Sequence, residues 1–206
     1  MKVMLMGPRW RNEALALWLT ARGHRVLMDD GRKDDQYFFK INPDYIISNG
    51  YGPIFTPPVV KGFWGRIINI HPAALPWGRG IYPNVWALFE GHPIGVTIHL
   101  IDEGIDTGKL LDVEFMPRYE REWRVSNLNE TLQTFYSHLL RRAEALFKRT
   151  WERIEAGDCQ PFDQEPIGYD SYKNRAQSEE LMSRFADRWD TSIALVKLAG
   201  EHLRDQ

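Results

Sequence analysis

The chain has 206 residues, enough for one α/β domain or for one domain with a small addition. Its formal net charge of −2, with 26% charged residues, gives no broad basic face for nucleic acid or for an anionic membrane. The single cysteine, Cys159, excludes an intrachain disulfide and a cysteine-cluster metal site, and no apolar run approaches the roughly 20 residues that span a bilayer. We therefore expect a protein of the reducing cytoplasm whose partners are neither nucleic acid nor membrane.

The first hundred residues alternate between short apolar runs and helical patterns. The predicted strands cover residues 2–6, 24–28, 44–48, 66–70 and 95–101, and the predicted helices cover 11–22 and a short polar stretch near 33–40, with another beginning near Trp86. This order predicts an α/β fold with a Rossmann-like, mostly parallel sheet that helices cover on both faces. Ligands bind such sheets outside the carboxyl ends of the strands.

The second half of the chain is predominantly helical. Residues 109–115 are a last strand or hairpin arm, and a long helix over 127–156 ends at Gly157. The apolar stripe of this helix comprises Leu128, Leu132, Phe135, Leu139, Leu146 and Ile154. After a loop over 159–175, Ser178 and Asp190 are the predicted starts of further helices. We divide the chain into a catalytic domain, residues 1–160, and a C-terminal loop and helical subdomain, residues 161–206, which is too short for a core of its own.

No nucleotide-binding loop accompanies this α/β pattern. Gly7-Pro8-Arg9 follows the first strand, but no second or third glycine completes a G-x-G-x-x-G pattern, and there is no Walker sequence. A dinucleotide cofactor or a nucleoside triphosphate is therefore poorly supported.

Three polar residues stand where the fourth and fifth predicted strands end. Asn69 and His71 are two apart and project to the same side if the strand continues that far, and Asp106 lies in a glycine-rich loop. An amide that donates to an oxyanion, an imidazole that exchanges a proton and a carboxylate that orients it suit acyl transfer. The alternatives are a structural histidine and an Asx turn. His99, inside the fifth strand, is interpreted as structural.

Four sequence blocks carry a family resemblance. They are Asn-Ile-His-Pro-Ala-Ala-Leu-Pro at 69–76, Gly-Arg-Gly at 78–80, Gly-Val-Thr-Ile-His at 95–99 and Ile-Asp-Glu-Gly-Ile-Asp-Thr-Gly at 101–108. In order and spacing they resemble the folate-dependent formyltransferase family, and most closely its sugar-amine N-formyltransferases, which are related to the glycinamide ribonucleotide and methionyl-tRNA enzymes. The resemblance implies N10-formyltetrahydrofolate as formyl donor, no metal, and Asn69, His71 and Asp106 as the catalytic residues.

The resemblance also implies a pocket for the pterin between two loops, one over residues 49–55 and the other over residues 102–106. The donor-binding residues carried over in this way are Tyr51, Gly52, Ile54, Leu75, Asp102, Ile105 and Asp106. For the apolar members, packing at the base of a loop is the alternative.

The acceptor is expected to be a small-molecule amine. The first loop lacks the Gly/Ser/Asn-rich phosphate cradle of the purine enzymes, and these 206 residues include no C-terminal barrel domain of the kind that the tRNA enzymes carry. A nucleotide-linked amino sugar is therefore the leading prediction, with Arg79, Gly80, Tyr82 and Asn84 on the acceptor side. Another small amine, a formyl-folate hydrolase and a non-catalytic folate-binding protein remain alternatives, and a homodimer is an arrangement to test.

Overall fold

The computed structural model describes residues 1–116 and 130–204, which form eight strands and seven α-helices. The strands are β1 (Lys2–Met6), β2 (Arg25–Asp29), β3 (Tyr45–Ser48), β4 (Ile67–His71), β5 (Arg79–Gly80), β6 (Gly95–Leu100), β7 (Leu110–Phe115) and β8 (Tyr172–Lys173). The helices are α1 (Arg9–Ala21), α2 (Asp35–Ile41), α3 (Pro57–Gly62), α4 (Pro83–Glu90), α5 (Leu132–Glu155), α6 (Arg175–Ser183) and α7 (Ile193–Arg204).

The central sheet has six strands in the order β2-β1-β3-β4-β6-β7. The first four strands of the chain are parallel, which confirms the mostly parallel α/β fold. β6 is antiparallel to β4, since His71 pairs with Thr97 and Ile68 pairs with Leu100, and β7 is in turn antiparallel to β6. The expectation that β6 ends at the same edge as β4 was therefore wrong. An apolar run shows that a strand is buried but does not show which way it runs.

Two apolar clusters cover the two faces of the sheet. One cluster contains α1, α4 and α5 with the inner residues of β1, β4 and β6, and its largest fully buried side chain is Trp151. The other holds α2 and α3 against the opposite face through Phe38 and Val59. Met182 of α6 and Val196 of α7 belong to the first cluster, so the C-terminal helices share the core of the sheet.

The longest described helix, α5, ends within one residue of its predicted end, but it begins at Leu132, five residues after its predicted start. Thr131 caps its first turn, and Leu132, Phe135, Leu139 and Leu146 of the predicted stripe are buried, while Leu128 lies outside the described residues. No helix within 1–116 and 130–204 is long and apolar enough to cross a membrane.

Asn174, and not Ser178, begins the first C-terminal helix. Its side chain accepts from the Gln177 backbone N–H at 3.0 Å, and the Gln177 side chain accepts from the Asn174 N–H at 2.9 Å. Ser178 is buried inside α6 and donates to Ile81 O at 2.8 Å, so its predicted capping role was wrong. The reciprocal pair at 174 and 177 satisfies two backbone donors that helix formation leaves free.

Asn174→Ala is expected to lower the free energy of unfolding by about 1 kcal/mol, because the substitution removes the acceptor for the Gln177 N–H. Asn174→Asp is the control, since it keeps an oxygen at the same position, and it should match the parent protein. Urea denaturation measures both variants. Equal stability of the alanine and aspartate variants would show that the cap contributes nothing.

Candidate active site

The strand β4 delivers two polar side chains to one face of the sheet at its carboxyl end. Asn69 and His71 alternate with Ile68 and Ile70, which are buried in the core on the other face. The strand continues through His71 and stops before Pro72, so the period of two places the amide and the imidazole side by side. The imidazole is almost completely buried, whereas Asn69 is half-buried.

Asp106 reaches these residues by a different route from the one its sequence position indicated. Because β6 is antiparallel, the loop that follows it begins at the amino end of β4, where the Ile101 N–H donates to Ile67 O at 2.8 Å. The loop then folds back over the sheet. One oxygen of Asp106 lies 3.4 Å from Asn69 Nδ2 and 3.8 Å from His71 Nδ1. The expected meeting of the three residues occurs, although not through strands that end at a common edge.

The hydrogen bonds of His71 define its tautomer. Its Nε2 lies 2.6 Å from Gly78 O, and a carbonyl oxygen only accepts, so Nε2 carries the hydrogen. In the neutral imidazole, Nδ1 is then an unprotonated nitrogen on the side of Asp106. Burial lowers the pKa of His71, although the charge of Asp106 opposes this. His71 is therefore set up as a neutral base at pH 7.

Asp106 is held as a carboxylate. Its backbone has a φ of 54°, in the left-handed region that aspartate tolerates better than most residues. This conformation directs one carboxylate oxygen to the Gly80 N–H at 2.9 Å. Burial alone would raise the pKa of Asp106, but the neighbouring His71 and His99 and the Gly80 N–H together hold it well below its ordinary value.

His99 belongs to the same cluster, although the sequence interpretation treated it as structural. Its Nδ1 donates to Leu100 O at 2.8 Å, which leaves Nε2 to accept from Asn69 Nδ2 at 3.1 Å. This Nε2 lies 3.5 Å from Asp106 Oδ1. His99 reaches the cluster because residue 99 pairs with residue 69 of the neighbouring strand, and this pairing requires β6 to run antiparallel to β4. The pairing was the signal that could have identified His99. Ligand atoms of His71, His99 and Asp106 lie within 4.8 Å of one another, and a divalent cation could share them.

Gln164 is a further residue of the site that the sequence did not indicate. Its Nε2 donates to Asp106 O and to Gly108 O, both at 2.9 Å, and its Oε1 accepts from Arg79 at 2.7 Å. The C-terminal segment thus holds the backbone of the loop that carries Asp106. Nothing in a polar loop residue 58 positions away in the sequence predicts this contact.

Gln164→Ala is expected to lower kcat by up to about 30-fold, because two hydrogen bonds that hold the Asp106 loop are lost at a net cost of about 1 kcal/mol each. Asp163→Ala is the matched control, since its exposed side chain pairs with Lys109 at the surface. Steady-state turnover and thermal unfolding are measured on both variants. A kcat for Gln164→Ala equal to that of the control would contradict the positioning role.

The predicted donor-binding residues border the second apolar cluster. Tyr51 packs against that cluster, as does Ile101 at the start of the other loop. Ile54 is 69% exposed, an apolar side chain free to contact a ligand, and Gly52 has open space around it. Leu75 is buried, Ile105 is half-buried, and Asp102 accepts from the Gly104 N–H and from Thr107 within its own loop. The structure therefore places two loops beside a common apolar surface, and their binding role stays a prediction.

The predicted acceptor-side residues divide into two groups. Gly80 and Arg79 lie in β5 and contact Asp106 and Gln164, next to the cluster of the active site. Tyr82 instead donates to Glu179 of α6 at 2.8 Å. Asn84 is only 2% exposed, and neither polar atom of its amide has a partner among the described residues. The role of Tyr82 and Asn84 in binding an acceptor therefore stays a prediction.

Sequence comparison identifies related proteins. The profile of the "Formyl transferase" family matches residues 30–143. Methionyl-tRNA formyltransferase of Syntrophus aciditrophicus is 36% identical over 170 residues, which is 81% of this chain and 52% of that protein. Methionyl-tRNA formyltransferase of Finegoldia magna is 31% identical over 104 residues, 50% of this chain and 33% of that protein. The chain thus spans between a third and about half of the length of these curated relatives.

Structural comparison finds neighbours of the chain's own length. The formyltransferase PseJ of Anoxybacillus kamchatkensis, solved with UDP-4,6-dideoxy-4-formamido-L-AltNAc and tetrahydrofolate, superimposes with a TM-score of 0.81 at 33% identity, over 97% of this chain and 100% of that one. A 4-N formyltransferase of Francisella tularensis shares the fold, with a TM-score of 0.67 at 20% identity over 97% of this chain and 87% of that one.

Proposed function

The chain belongs to the formyl transferase family, and we propose that it transfers the formyl group of N10-formyltetrahydrofolate to the primary amine of a nucleotide-linked amino sugar. The observation that carries this proposal is the end-to-end likeness to PseJ, whose complex contains a UDP-linked formamido sugar together with tetrahydrofolate. The cluster of Asn69, His71 and Asp106 supplies the chemical groups that such a transfer uses.

In the proposed reaction the amine nitrogen attacks the formyl carbon, and the carbonyl oxygen becomes an oxyanion. Asn69 Nδ2 is the donor for this oxygen. Its hydrogen bond to His99 measures 3.1 Å, but its contact with Asp106 is longer, at 3.4 Å. The hydrogen bond from Asn69 to Asp106 is the weaker of the two because it is the longer. The substrate oxygen therefore accepts the hydrogen that Asn69 directs at Asp106.

His71 then moves the proton. The attacking amine becomes positively charged as its bond to the formyl carbon forms, and the unprotonated Nδ1 of His71 accepts a proton from it, directly or through a water molecule. Asp106 stabilises the imidazolium that results, because its carboxylate oxygen is 3.8 Å from Nδ1. When the bond between the formyl carbon and N10 breaks, this proton goes to N10, and the products are the formamide and tetrahydrofolate.

The pterin of the donor is proposed to lie between the loops that carry Tyr51 and Ile105. The exposed side chain of Ile54 and the open space at Gly52 give that position an apolar wall and room for a flat ring. Backbone groups of the loop over 102–106 pair with the polar edge of the ring. The proposed donor site then adjoins Asp106, which is common to both sites.

One test of this function measures turnover of N10-formyltetrahydrofolate by absorbance, with and without a chelator. The acceptors are a panel of nucleotide-linked amino sugars together with methionyl-tRNA, which the curated relatives make a second candidate. Transfer to a sugar that the chelator does not change supports the proposal. Transfer to methionyl-tRNA alone would show that the acceptor is the tRNA and not an amino sugar. Formate release without an acceptor would indicate a hydrolase. Donor binding without transfer directs the search to other small amines or to a non-catalytic role, and absence of donor binding overturns the proposal.

We also propose that the protein is cytoplasmic and that it forms a homodimer. Cys159 is the one cysteine of the sequence, and a reducing compartment would keep it as a thiol. Light scattering measures the mass in solution. A value near the 24.1 kDa of one chain would contradict the homodimer.

A further inference from the structure

Three side chains of the active-site cluster bring metal-binding atoms close together. Asp106 Oδ1 lies 3.5 Å from His99 Nε2 and 3.8 Å from His71 Nδ1, and the ligand atoms of all three residues lie within 4.8 Å of one another. The two imidazoles meet edge to face, with their ring centres 5.9 Å apart. Two imidazole nitrogens and one carboxylate oxygen are a donor set that transition-metal cations bind.

Each imidazole is already in the tautomer that a metal ion requires. Nε2 of His71 donates to Gly78 O at 2.6 Å, and Nδ1 of His99 donates to Leu100 O at 2.8 Å. The hydrogen of each ring is therefore held by a backbone carbonyl, which leaves the lone pair of the other nitrogen on the side of Asp106. Histidine ligands of metal ions almost always donate their second N–H in this way, and the hydrogen bond fixes the orientation of the ring.

The charge and burial of the cluster also favour a cation. Asp106 is a carboxylate beside two imidazoles, because the groups around it hold the pKa of its carboxyl well below the ordinary value. His71 and His99 are only 5% and 1% exposed, so the protein shields much of the site from water. Asn69 and Asp106 are half-buried, and the cluster is open to solvent on their side.

The separations fit a four-coordinate ion after small movements. Zinc lies about 2.0–2.2 Å from histidine nitrogens and carboxylate oxygens, so neighbouring ligand atoms of a tetrahedral site are about 3.3–3.5 Å apart. The two distances from Asp106 are within a few tenths of an ångström of that range. Mg²⁺ instead demands octahedral coordination, mostly by oxygen, so this donor set selects a transition metal.

We propose that His71, His99 and Asp106 form an inhibitory site for a divalent transition-metal cation such as Zn²⁺. Coordination occupies the lone pair of His71 Nδ1, which the proposed reaction uses to accept a proton from the amine. It also displaces the hydrogens that Asn69 directs at His99 and Asp106, at 3.1 and 3.4 Å. The base and the oxyanion donor are therefore both lost while the cation is bound. The binding is independent of the proposed function, whereas the inhibition rests on it.

The first measurement follows metal binding without any substrate. Parent protein dialysed against a chelator is titrated with Zn²⁺ in a calorimeter, and with Co²⁺ by visible absorption. We expect one equivalent of either ion to bind at the cluster, and Mg²⁺ at the same concentration not to bind there. Loss of a hydrogen bond to a metal ligand typically weakens metal binding by about 10- to 100-fold, so loss of a ligand in His99→Gln should weaken Zn²⁺ binding by at least about 100-fold.

His92→Gln is the matched control, because His92 lies outside the cluster and its ring pairs with Tyr169 OH at 2.9 Å. It should bind Zn²⁺ as tightly as the parent. Asp106→Asn keeps the size of the side chain and is a second ligand variant with the same expected loss, and thermal unfolding verifies that each variant is folded. Zn²⁺ affinity that neither His99→Gln nor Asp106→Asn lowers would overturn the site.

Turnover of the formyl donor is the second readout. One equivalent of Zn²⁺ should slow formyl transfer by the parent and by His92→Gln about 100-fold or more, the lower end of the range for loss of a general base. Excess chelator should restore the rate, and chelator alone should leave the metal-free parent unchanged. Zn²⁺ bound at the cluster that leaves the rate unchanged, or raises it, would overturn the inhibitory role.

The binding measurement separates failure of this inference from failure of the proposed function. If the parent transfers formyl groups but binds no Zn²⁺ through His99 and Asp106, the metal site is refuted and the function stands. If it binds Zn²⁺ through these residues but transfers to no acceptor, the metal site stands and the proposed function is refuted. If it shows neither binding nor transfer, both are refuted.

Discussion

Asn69→Ala is expected to lower kcat about 10²- to 10³-fold while the protein stays folded. That factor is the usual effect of removing one preorganised donor from an oxyanion, equivalent to about 2.7–4 kcal/mol of the barrier. Asn69 is half-buried at the end of β4, and its amide contacts His99 and Asp106. Loss of the amide therefore removes the proposed donor without opening the core. Steady-state turnover of the formyl donor measures the effect.

Two comparisons separate the oxyanion role from a positioning role of Asn69. Asn69→Asp keeps the size of the side chain but places a second carboxylate within reach of Asp106, so it should be at least as slow as the alanine variant. Affinity for tetrahydrofolate, which carries no formyl group, should change by less than threefold in both variants. A kcat for Asn69→Ala within tenfold of the parent would assign the oxyanion to another donor.

Much of the parallel half of the fold could be predicted from the sequence. Each of the four parallel strands is a short apolar run next to a helical pattern, and local periodicity is sufficient to identify such elements. The placement of Asn69 and His71 on the same side of the strand follows from the period of two in an extended strand. In the structure, β4 extends through His71. Both predictions depend on residues that are neighbours in the chain.

The remainder of the site depends on contacts between distant segments. The direction of β6 decides how the loop carrying Asp106 approaches His71, and an apolar run contains no information about strand direction. β5 and β8 have two residues each, too few to show a period. The hydrogen bonds from Gln164 to the Asp106 loop connect the C-terminal segment to the site through a residue type that is ordinary in loops. The candidate catalytic residues of β4 could therefore be predicted from the sequence, but the contacts from distant segments that hold the rest of the site could not.

His71→Gln should lower kcat/KM about 10²- to 10⁴-fold, the range for loss of a general base. The amide of glutamine can still donate to Gly78 O, which accepts from His71 Nε2 at 2.6 Å, so the contact that orients the side chain is retained. The pH profile is the sharper measurement. In the parent, kcat/KM should be level near pH 7 and fall on the acid side, as His71 gains a proton. The profile of His71→Gln should lack this acid limb.

The pH at which kcat/KM falls on the acid side depends on the burial of His71 and on the charges around it. Burial lowers the pKa of His71, so the unprotonated base persists below the ordinary value of 6.5 and the limb should lie at lower pH than that. The charge of Asp106 raises this pKa, so Asp106→Asn should move the limb further down. The charge of Arg11 lowers it more weakly, so Arg11→Gln should move the limb slightly up. An acid limb that persists in His71→Gln, or that neither charge variant moves, would assign the titration to a group other than His71.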